Sequence, residues 1–433
     1  MTEHIIPAEA PALQELRVRS IDRLARGILL KLLARIERGR LTLVDGAERV
    51  AFGRVSEAFP LDALITVHHP RFYGDCLFRG TIGAGEAYMS GFWSTDDLTA
   101  VVRIFALHPE VFSGMDKGLA RIMAPVVRYA HALNKNTRAG SRRNIVAHYD
   151  LGNDFYRLFL DDTLTYSCGI FERPESTLRE ASLAKYERIC RKLELRQSDQ
   201  VLEIGTGWGG FALYAARNFG CRVTTTTISE RQHEEARNRI AAAGLSGRIN
   251  LLKQDYRDLT GTFDKLVSIE MIEAVGHQFL DDFFRVCSAR LKPEGQMLLQ
   301  AITIRDQVFD WHKKNVDFIK RYIFPGSCIP SIAAIGESLT RATDLRLFHL
   351  EDITPHYATT LRHWRENFFR NLGEVRALGF PETFIRMWEF YLCYCEGGFA
   401  ERYLGDVQMV FTKPMCRKDP ILPPLNFPSA LGG

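Results

Sequence analysis

The run Val201-Leu-Glu-Ile-Gly-Thr-Gly-Trp-Gly-Gly210 constrains this chain more than any other feature. An apolar strand there breaks into closely spaced glycines. Gly205 and Gly207 permit a turn with positive φ and let the backbone approach a bound molecule where a Cβ would collide. A helix starting near Gly209 then offers its N-terminal N–H groups to that molecule. Glu203, two residues before the first glycine, is the acid expected to hold a cationic or hydroxylated ligand at the strand's end. Gly-x-Gly turns serve many nucleotide binders, so the run alone indicates a nucleoside ligand and no more.

Its surroundings narrow the choice. A nicotinamide fingerprint spells Gly-x-Gly-x-x-Gly, with an acid about 20 residues on for the ribose hydroxyls. Here the glycines read G-x-G-x-G-G, and the next apolar run ends in Thr227-Ile-Ser-Glu-Arg-Gln232 without that acid. No Gly-Lys-Ser/Thr follows, which excludes a phosphate loop. S-adenosylmethionine fits better: there is no phosphate to cradle, and a carboxylate can meet the ribose or the methionyl amine. From Val201 onward strands and helices alternate: helix Gly209–Asn218, strand Arg222–Ile228, helix Ser229–Ala243, strand Ile249–Gln254. A strand at Lys265–Ile269, a helix over Gln278–Leu291 and a strand at Met297–Ile304 follow. That alternation predicts right-handed crossovers and a parallel sheet with ligands at its carboxyl edge. The segment Arg305–Thr343 interrupts the rhythm as a cap, and the sheet resumes at Leu345–Asp352 and Val407–Thr412.

The 433 residues suit two or three domains. Residues 41–93 read as strand-rich, with turns at Asp45-Gly46 and Gly83–Gly85, and Leu98–Phe112 reads as a helix. The polar connector 134–143 marks a boundary, dividing the chain into an N-terminal domain (1–135), a linker (136–145), a catalytic domain (146–415) and a tail (416–433). No apolar run reaches the ~20 residues that span a bilayer, and the N-terminus lacks a secretory pattern, so a cytoplasmic protein is expected. Nine scattered cysteines read as reduced thiols. His68 and His69 lack metal-ligand company, and no metal is expected.

The net charge is only +4, but Arg17 to Arg40 carries eight basic residues against two acids. Ile21, Leu24, Ile28, Leu32 and Ile36 recur there at helical spacing, although Arg35 and Leu30 fall on the wrong face of an ideal wheel. Such a helix either lies on an anionic membrane surface or packs on its own domain. The patch is short and lacks a nucleic-acid motif, so nucleic acid is not an expected partner.

Several separated stretches then converge. They are Gly85-Glu-Ala-Tyr-Met-Ser-Gly-Phe-Trp93, His148-Tyr-Asp-Leu-Gly-Asn-Asp-Phe-Tyr156 and Leu164-Thr-Tyr-Ser-Cys-Gly-Ile-Phe171, followed by Ser268-Ile-Glu-Met-Ile-Glu-Ala-Val-Gly276, Ile323-Phe-Pro-Gly326 and His356-Tyr-Ala-Thr-Thr-Leu361. Together they resemble the cyclopropane-fatty-acyl-phospholipid synthases, relatives of the mycolic acid cyclopropane synthases. The resemblance implies an α/β fold: a class I S-adenosylmethionine-dependent methyltransferase (Rossmann-like) domain with a smaller N-terminal α+β domain. It implies that a cis double bond of a membrane phospholipid acyl chain attacks the sulfonium methyl, after which a base removes a proton from the new methyl as a ring closes. The enzyme would then sit peripherally on the inner membrane face, and a homodimer stays open as its assembly.

Carried over position by position, the resemblance implies that a bound bicarbonate serves as base, held by Cys168, Glu273, Gln300, Ile302 and Tyr357. Cys168 and Ile302 would act largely through backbone N–H groups, which suit an anion. Gln300 and Ala274 stand where the family usually has histidine; an amide still donates to an anion. Cys395 matches a cysteine associated with activity, yet Phe384, Trp388, Tyr391 and Cys395 share one helical face that reads as core or channel wall. For the cofactor, Tyr166 and Ser167 would close over the methionine portion and Glu203, Gly205, Gly207 and Gly209 form the floor. Thr227 and Gln232 replace the missing second acid, and Tyr256 with Arg257 would meet the adenine. Three other readings stay open: methyl branching without ring closure, N-methylation of a small amine, and a lipid-binding scaffold without catalysis.

Overall fold

The computed structural model describes residues 20–111 and 151–421. The expected linker and the boundary at 135 lie outside the described residues, as do His148 to Asp150, Arg17, Arg19 and Phe112; the helix placed over Leu98–Phe112 is shorter, ending at Ala106 with Leu107 as its cap.

The N-terminal domain is built on strands β1 (Gly39–Asp45), β2 (Glu48–Arg54), β3 (Asp62–Val67) and β4 (Trp93–Thr95), in the order β2-β1-β3-β4. The Asp45-Gly46 turn is where the residues place it: Asp45 pairs with Glu48, and Gly46 takes φ 59. The turn expected at Gly83–Gly85 is absent, because both glycines lie inside a helix, Arg71–Met89, that kinks at Gly80. They serve close approach instead of reversal. A Cβ on Gly83 would run into the backbone carbonyl of Asp75, and one on Gly85 into the ring of Phe318 in the other domain. The helix Ser20–Leu33 packs on Arg71–Met89 through Ala25, Leu29, Leu32 and Leu33, with Ile36 buried just beyond its end. That buried face is offset from the expected one. Ile21, Leu24 and Ile28 stay exposed, at 49%, 62% and 37%.

The larger domain carries β5 (Gln200–Ile204), β6 (Arg222–Thr227), β7 (Ile249–Lys253), β8 (Phe263–Ile269), β9 (Leu291–Ile304), β10 (Arg346–Asp352) and β11 (Leu404–Thr412). Their order is β10-β11-β9-β8-β5-β6-β7. β5 to β9 pair in parallel, and β11 inserts antiparallel between β9 and β10. The expected alternation of strands and helices is therefore present, with ends shifted by a few residues. The chain order reverses between β5 and β8, and such a switch point opens a crevice at the carboxyl edge. Within 305–343 only the first part covers that edge: Arg305, Val308, Trp311 and Phe324 face the cavity there. The helix Ile332–Ala342 packs instead beside Leu280–Ala289, fixed by Ser338 and Arg341 on Asp281 (2.7 and 2.6 Å).

One helix, Glu382–Ala400, joins the two domains. Its Phe384 and Trp388 enclose Phe155, whose ring meets Trp388 edge-on at 4.9 Å. Each such side chain contributes about 1.5–3 kcal/mol by leaving water. Toward the N-terminal domain, Arg386 donates to the carbonyls of Tyr88 and Trp93 (2.6 and 3.1 Å), and Glu389 accepts from the Tyr88 hydroxyl at 2.7 Å. Arg103 and Glu401 close the far end at 2.6 Å. His68 bonds Ser94 at 2.7 Å and His69 packs on Phe92, both structural roles.

Gly83→Ala should lower the stability of the fold by about 1–3 kcal/mol, because a backbone carbonyl cannot step aside. Gly336→Ala, at an exposed position of the helix Ile332–Ala342 with open space around it, should be neutral or slightly stabilising. Thermal unfolding of the two variants beside the parent checks both.

Candidate active site

A cavity of about 570 Å³ opens at the carboxyl edge of the large sheet. The strand ends supply its floor and the helix Glu382–Ala400 one wall, through Tyr391, Tyr394 and Cys395. Thr81, Val102 and Ala106 bring the N-terminal domain into the lining.

One end is the glycine turn. Gly205, Gly207 and Gly209 all take positive φ, of 103°, 52° and 87°. No atom lies within 4 Å of where a Cβ on Gly207 would stand, so a side chain there would enter the cavity. Gly209 does not line the cavity; it caps the helix Gly210–Phe219 in the left-handed region. Glu203 is buried at the end of β5 and accepts from Thr225 Oγ1 at 2.6 Å. Burial pushes its carboxyl up to about 8, against the pull of that hydrogen bond and of Lys185. Thr227 donates to Gln232 Oε1 at 2.9 Å, and both face the cavity. Tyr256 and Arg257 line the same end, with Arg257 paired to Asp255 at 2.6 Å. Asp255 is a cavity acid that sequence reasoning passed over, although it opens the turn after β7. Tyr166 hydrogen-bonds Tyr391 at 2.8 Å across the cavity, and Ser167 accepts from Lys185 Nζ at 2.6 Å.

The other end is an acid cluster. Glu273 accepts from the Ile302 N–H at 2.6 Å through Oε1, while its buried Oε2 has no hydrogen-bond partner. Burial, then the neighbouring charge of Glu270, raises Glu273 to about 8. The remaining expected donors converge elsewhere. The Cys168 N–H and Gln300 Nε2 both donate to Glu270 Oε1, at 2.9 and 2.7 Å, and the Tyr357 hydroxyl donates to Glu270 Oε2 at 2.5 Å. Cys168 and Gln300 do not line the cavity; Glu270, which holds both, does. Asp406 completes the cluster on β11, wholly buried, with Gln300 Nε2 at 3.4 Å. Burial and then the charges of Glu270 and Glu273 raise Asp406 well above the carboxylate range. Lys185 is also wholly buried; its charge opposes the rise of Glu203 and Glu270, and burial lowers its own pKa. Glu270, Asp406 and Lys185 escaped the sequence reading. Glu270 had a local signal, standing three residues before Glu273 in one apolar run; the other two come from distant segments. Among the described residues no group of three His, Cys, Asp or Glu could hold a metal ion, and no helix is long and apolar enough to cross a membrane.

Comparison with known proteins agrees with this geometry. Residues 136–409 match the mycolic acid cyclopropane synthetase family. The chain is 38% identical over 377 residues to tuberculostearic acid methyltransferase UfaA1 of Mycobacterium tuberculosis, spanning 85% of this chain and 86% of that one. It is 37% identical over 356 residues to the cyclopropane-fatty-acyl-phospholipid synthase of Escherichia coli, spanning 81% and 87%. A solved structure of mycolic acid cyclopropane synthase CmaA1 with SAH and CTAB superposes with a TM-score of 0.58 at 32% identity, covering 63% of this chain and 98% of the other.

Two outcomes are expected at the glycine end. Gly207→Val should abolish S-adenosylmethionine binding and leave the melting temperature within a few degrees of the parent. If ionised Glu203 holds the ligand, affinity should rise with pH through about 8, because the protonated carboxyl loses its acceptor strength. Glu203→Gln should bind weakly and flatten that profile. Titration calorimetry between pH 6 and pH 9 reads both.

Proposed function

Because the chain belongs to the mycolic acid cyclopropane synthetase family and is an S-adenosylmethionine-dependent fatty-acyl methyltransferase, we propose that it methylates the cis double bond of an unsaturated phospholipid chain and closes a cyclopropane ring. The observation that carries this reading is one cavity with three neighbouring parts: a glycine cradle, an acid cluster, and an apolar wall reaching into the N-terminal domain.

The residues fit the cofactor. The space in front of Gly207, the acceptor Glu203 and the polar pair Thr227 and Gln232 suit its methionyl and ribose portions, and Tyr256 with Arg257 its adenine. When bound, S-adenosylmethionine supplies an electrophilic methyl. Phe324, Leu361, Tyr391 and Phe399 then exclude water from the cationic carbon that forms on the acyl chain. Aromatic faces also attract such a cation. A proton must leave the new methyl carbon, and the acid cluster lies along the same cavity to take it. A soluble amine substrate would need neither the apolar wall nor its N-terminal lining.

Methyl branching is a second reading, favoured by the departures at Gln300 and Ala274 and by the relative named for tuberculostearic acid. The membrane-facing surface is the exposed row Ile21, Leu24 and Ile28, beside the exposed cations Arg23, Lys31 and Arg35. Each such cation adds about 1 kcal/mol near an anionic leaflet.

Expression in a host lacking these lipids should add one carbon to its unsaturated fatty acids, and gas chromatography with mass spectrometry separates ring from branch. Unchanged fatty acids would overturn the reading. Binding to anionic vesicles should weaken with salt, and Leu24→Asp with Ile28→Asp should cut binding about tenfold or more while leaving cofactor affinity intact. Vesicle sedimentation reads this, and equal binding by parent and variant assigns the row no membrane role.

A further inference from the structure

We infer that Glu270, in place of a bound bicarbonate ion, is the base that removes the proton from the transferred methyl carbon. The inference rests on the reaction proposed above and names the base of that same site.

The family resemblance implies a bicarbonate held by Cys168, Glu273, Gln300, Ile302 and Tyr357, and the residues present do not fit it. Three of those donors end on one carboxylate, that of Glu270, at 2.9, 2.7 and 2.5 Å. The fourth, the Ile302 N–H, is spent on Glu273 at 2.6 Å. An ion placed among them would have to displace Glu270 and would bring a second negative charge against it. The Glu270 carboxylate presents the same planar pair of oxygens as bicarbonate, to the same donors, from a side chain that itself lines the cavity.

The backbone shows what holds it there. Glu270 takes φ 46, one of four non-glycine residues with positive φ among the described residues. That conformation is unfavourable for a side-chain-bearing residue and persists only where the surroundings enforce it. Here the Glu270 N–H donates to the Gln300 carbonyl at 2.9 Å, tying the residue to β9 on its backbone as well as its side chain. The charges divide in its favour. Glu273 and Asp406 are both raised, by burial first and then by neighbouring carboxylates. Burial raises Glu270 too, but Tyr357, Lys185, Cys168 and Gln300 all oppose it. Of the three acids it has the most support for a negative charge, and environments that push carboxyls apart mark which is the base. Three hydrogen bonds leave a carboxylate room for one more partner.

In the step, the proton passes from the new methyl carbon to Glu270 Oε2. The C–H electron pair forms the third bond of the ring at the cationic carbon. If a hydride first shifts from the methylated carbon to its cationic neighbour, the cation moves to the methylated carbon and the same pair forms a double bond to the former methyl, leaving a methylidene branch on the open chain. Neither route oxidises or reduces the enzyme, and the proton passes to water as product leaves.

The wild-type enzyme should turn over at the same rate, within about twofold, in buffer sparged of carbon dioxide and in buffer with added bicarbonate. Glu270→Gln should slow product formation by roughly 10²-fold or more, the range of a lost general base, with S-adenosylhomocysteine affinity unchanged by calorimetry. Glu270→Gly, which frees the three donors, should be equally slow and should recover at least about tenfold with bicarbonate or formate; a merely structural role gives no such rescue. Wild-type turnover that collapses on sparging and returns with bicarbonate overturns the base assignment alone, as does a fully active Glu270→Gln. Wild-type enzyme that modifies no acyl chain under either condition overturns the reaction, and the base with it.

Discussion

The arrangement depends on negative charge withdrawn from water. Glu203, Glu270 and Glu273 line a single cavity, Asp406 is buried behind it, and the buried Lys185 opposes the rise of Glu203 and Glu270. An isolated carboxylate in such a place would take up a proton instead of paying for desolvation. The donors are therefore the scarce resource, and their distribution sets each acid's role. Glu203 has one threonine hydroxyl, Glu273 one backbone N–H, and Glu270 three donors. The sheet makes this possible because β5, β8, β9 and β11 end or pass side by side where the chain order reverses.

The second dependence is on the helix Glu382–Ala400. It presents Tyr391 and Cys395 to the cavity and Arg386 and Glu389 to the N-terminal domain. The half-buried Cys395 lines the cavity beside Tyr391 and Tyr394, and burial pushes its thiol well up, which disfavours the thiolate.

Much of this was legible in the residues. Strands such as Val201–Ile204 and Arg222–Thr227 announce themselves because their apolar runs are bounded by glycine and by capping serine, a local signal. The backbone donors at Cys168 and Ile302, the Tyr357 phenol and the Gln300 amide were all identified as donors. The acceptor was not, since nothing in Ser268-Ile-Glu-Met-Ile-Glu says which glutamate turns toward a segment one hundred residues away. The helix Arg71–Met89 was hidden for the opposite reason. Its glycines resemble a turn locally, and their purpose is contact with Asp75 and with Phe318, the latter more than two hundred residues on.

The close seating of Gly85 on Phe318 and of Gly397 on Val102 also bears on how the fold is partitioned among relatives. CmaA1 aligns over 98% of its own length with only 63% of this chain, so it is complete without a counterpart to much of what stands here. In this chain both sides of the contact are shaped for it: Gly397 admits Val102 from one side, Gly85 admits Phe318 from the other, and Arg386 bonds to the carbonyls of Tyr88 and Trp93. Without the N-terminal domain, the notch at Gly397 would lose Val102, and Arg386, Glu389 and Glu401 would lose their partners Tyr88, Trp93 and Arg103. The N-terminal domain is therefore part of the packing of this enzyme and not an appendage to it: Val102 fills the notch at Gly397, and Phe318 fills the one at Gly85.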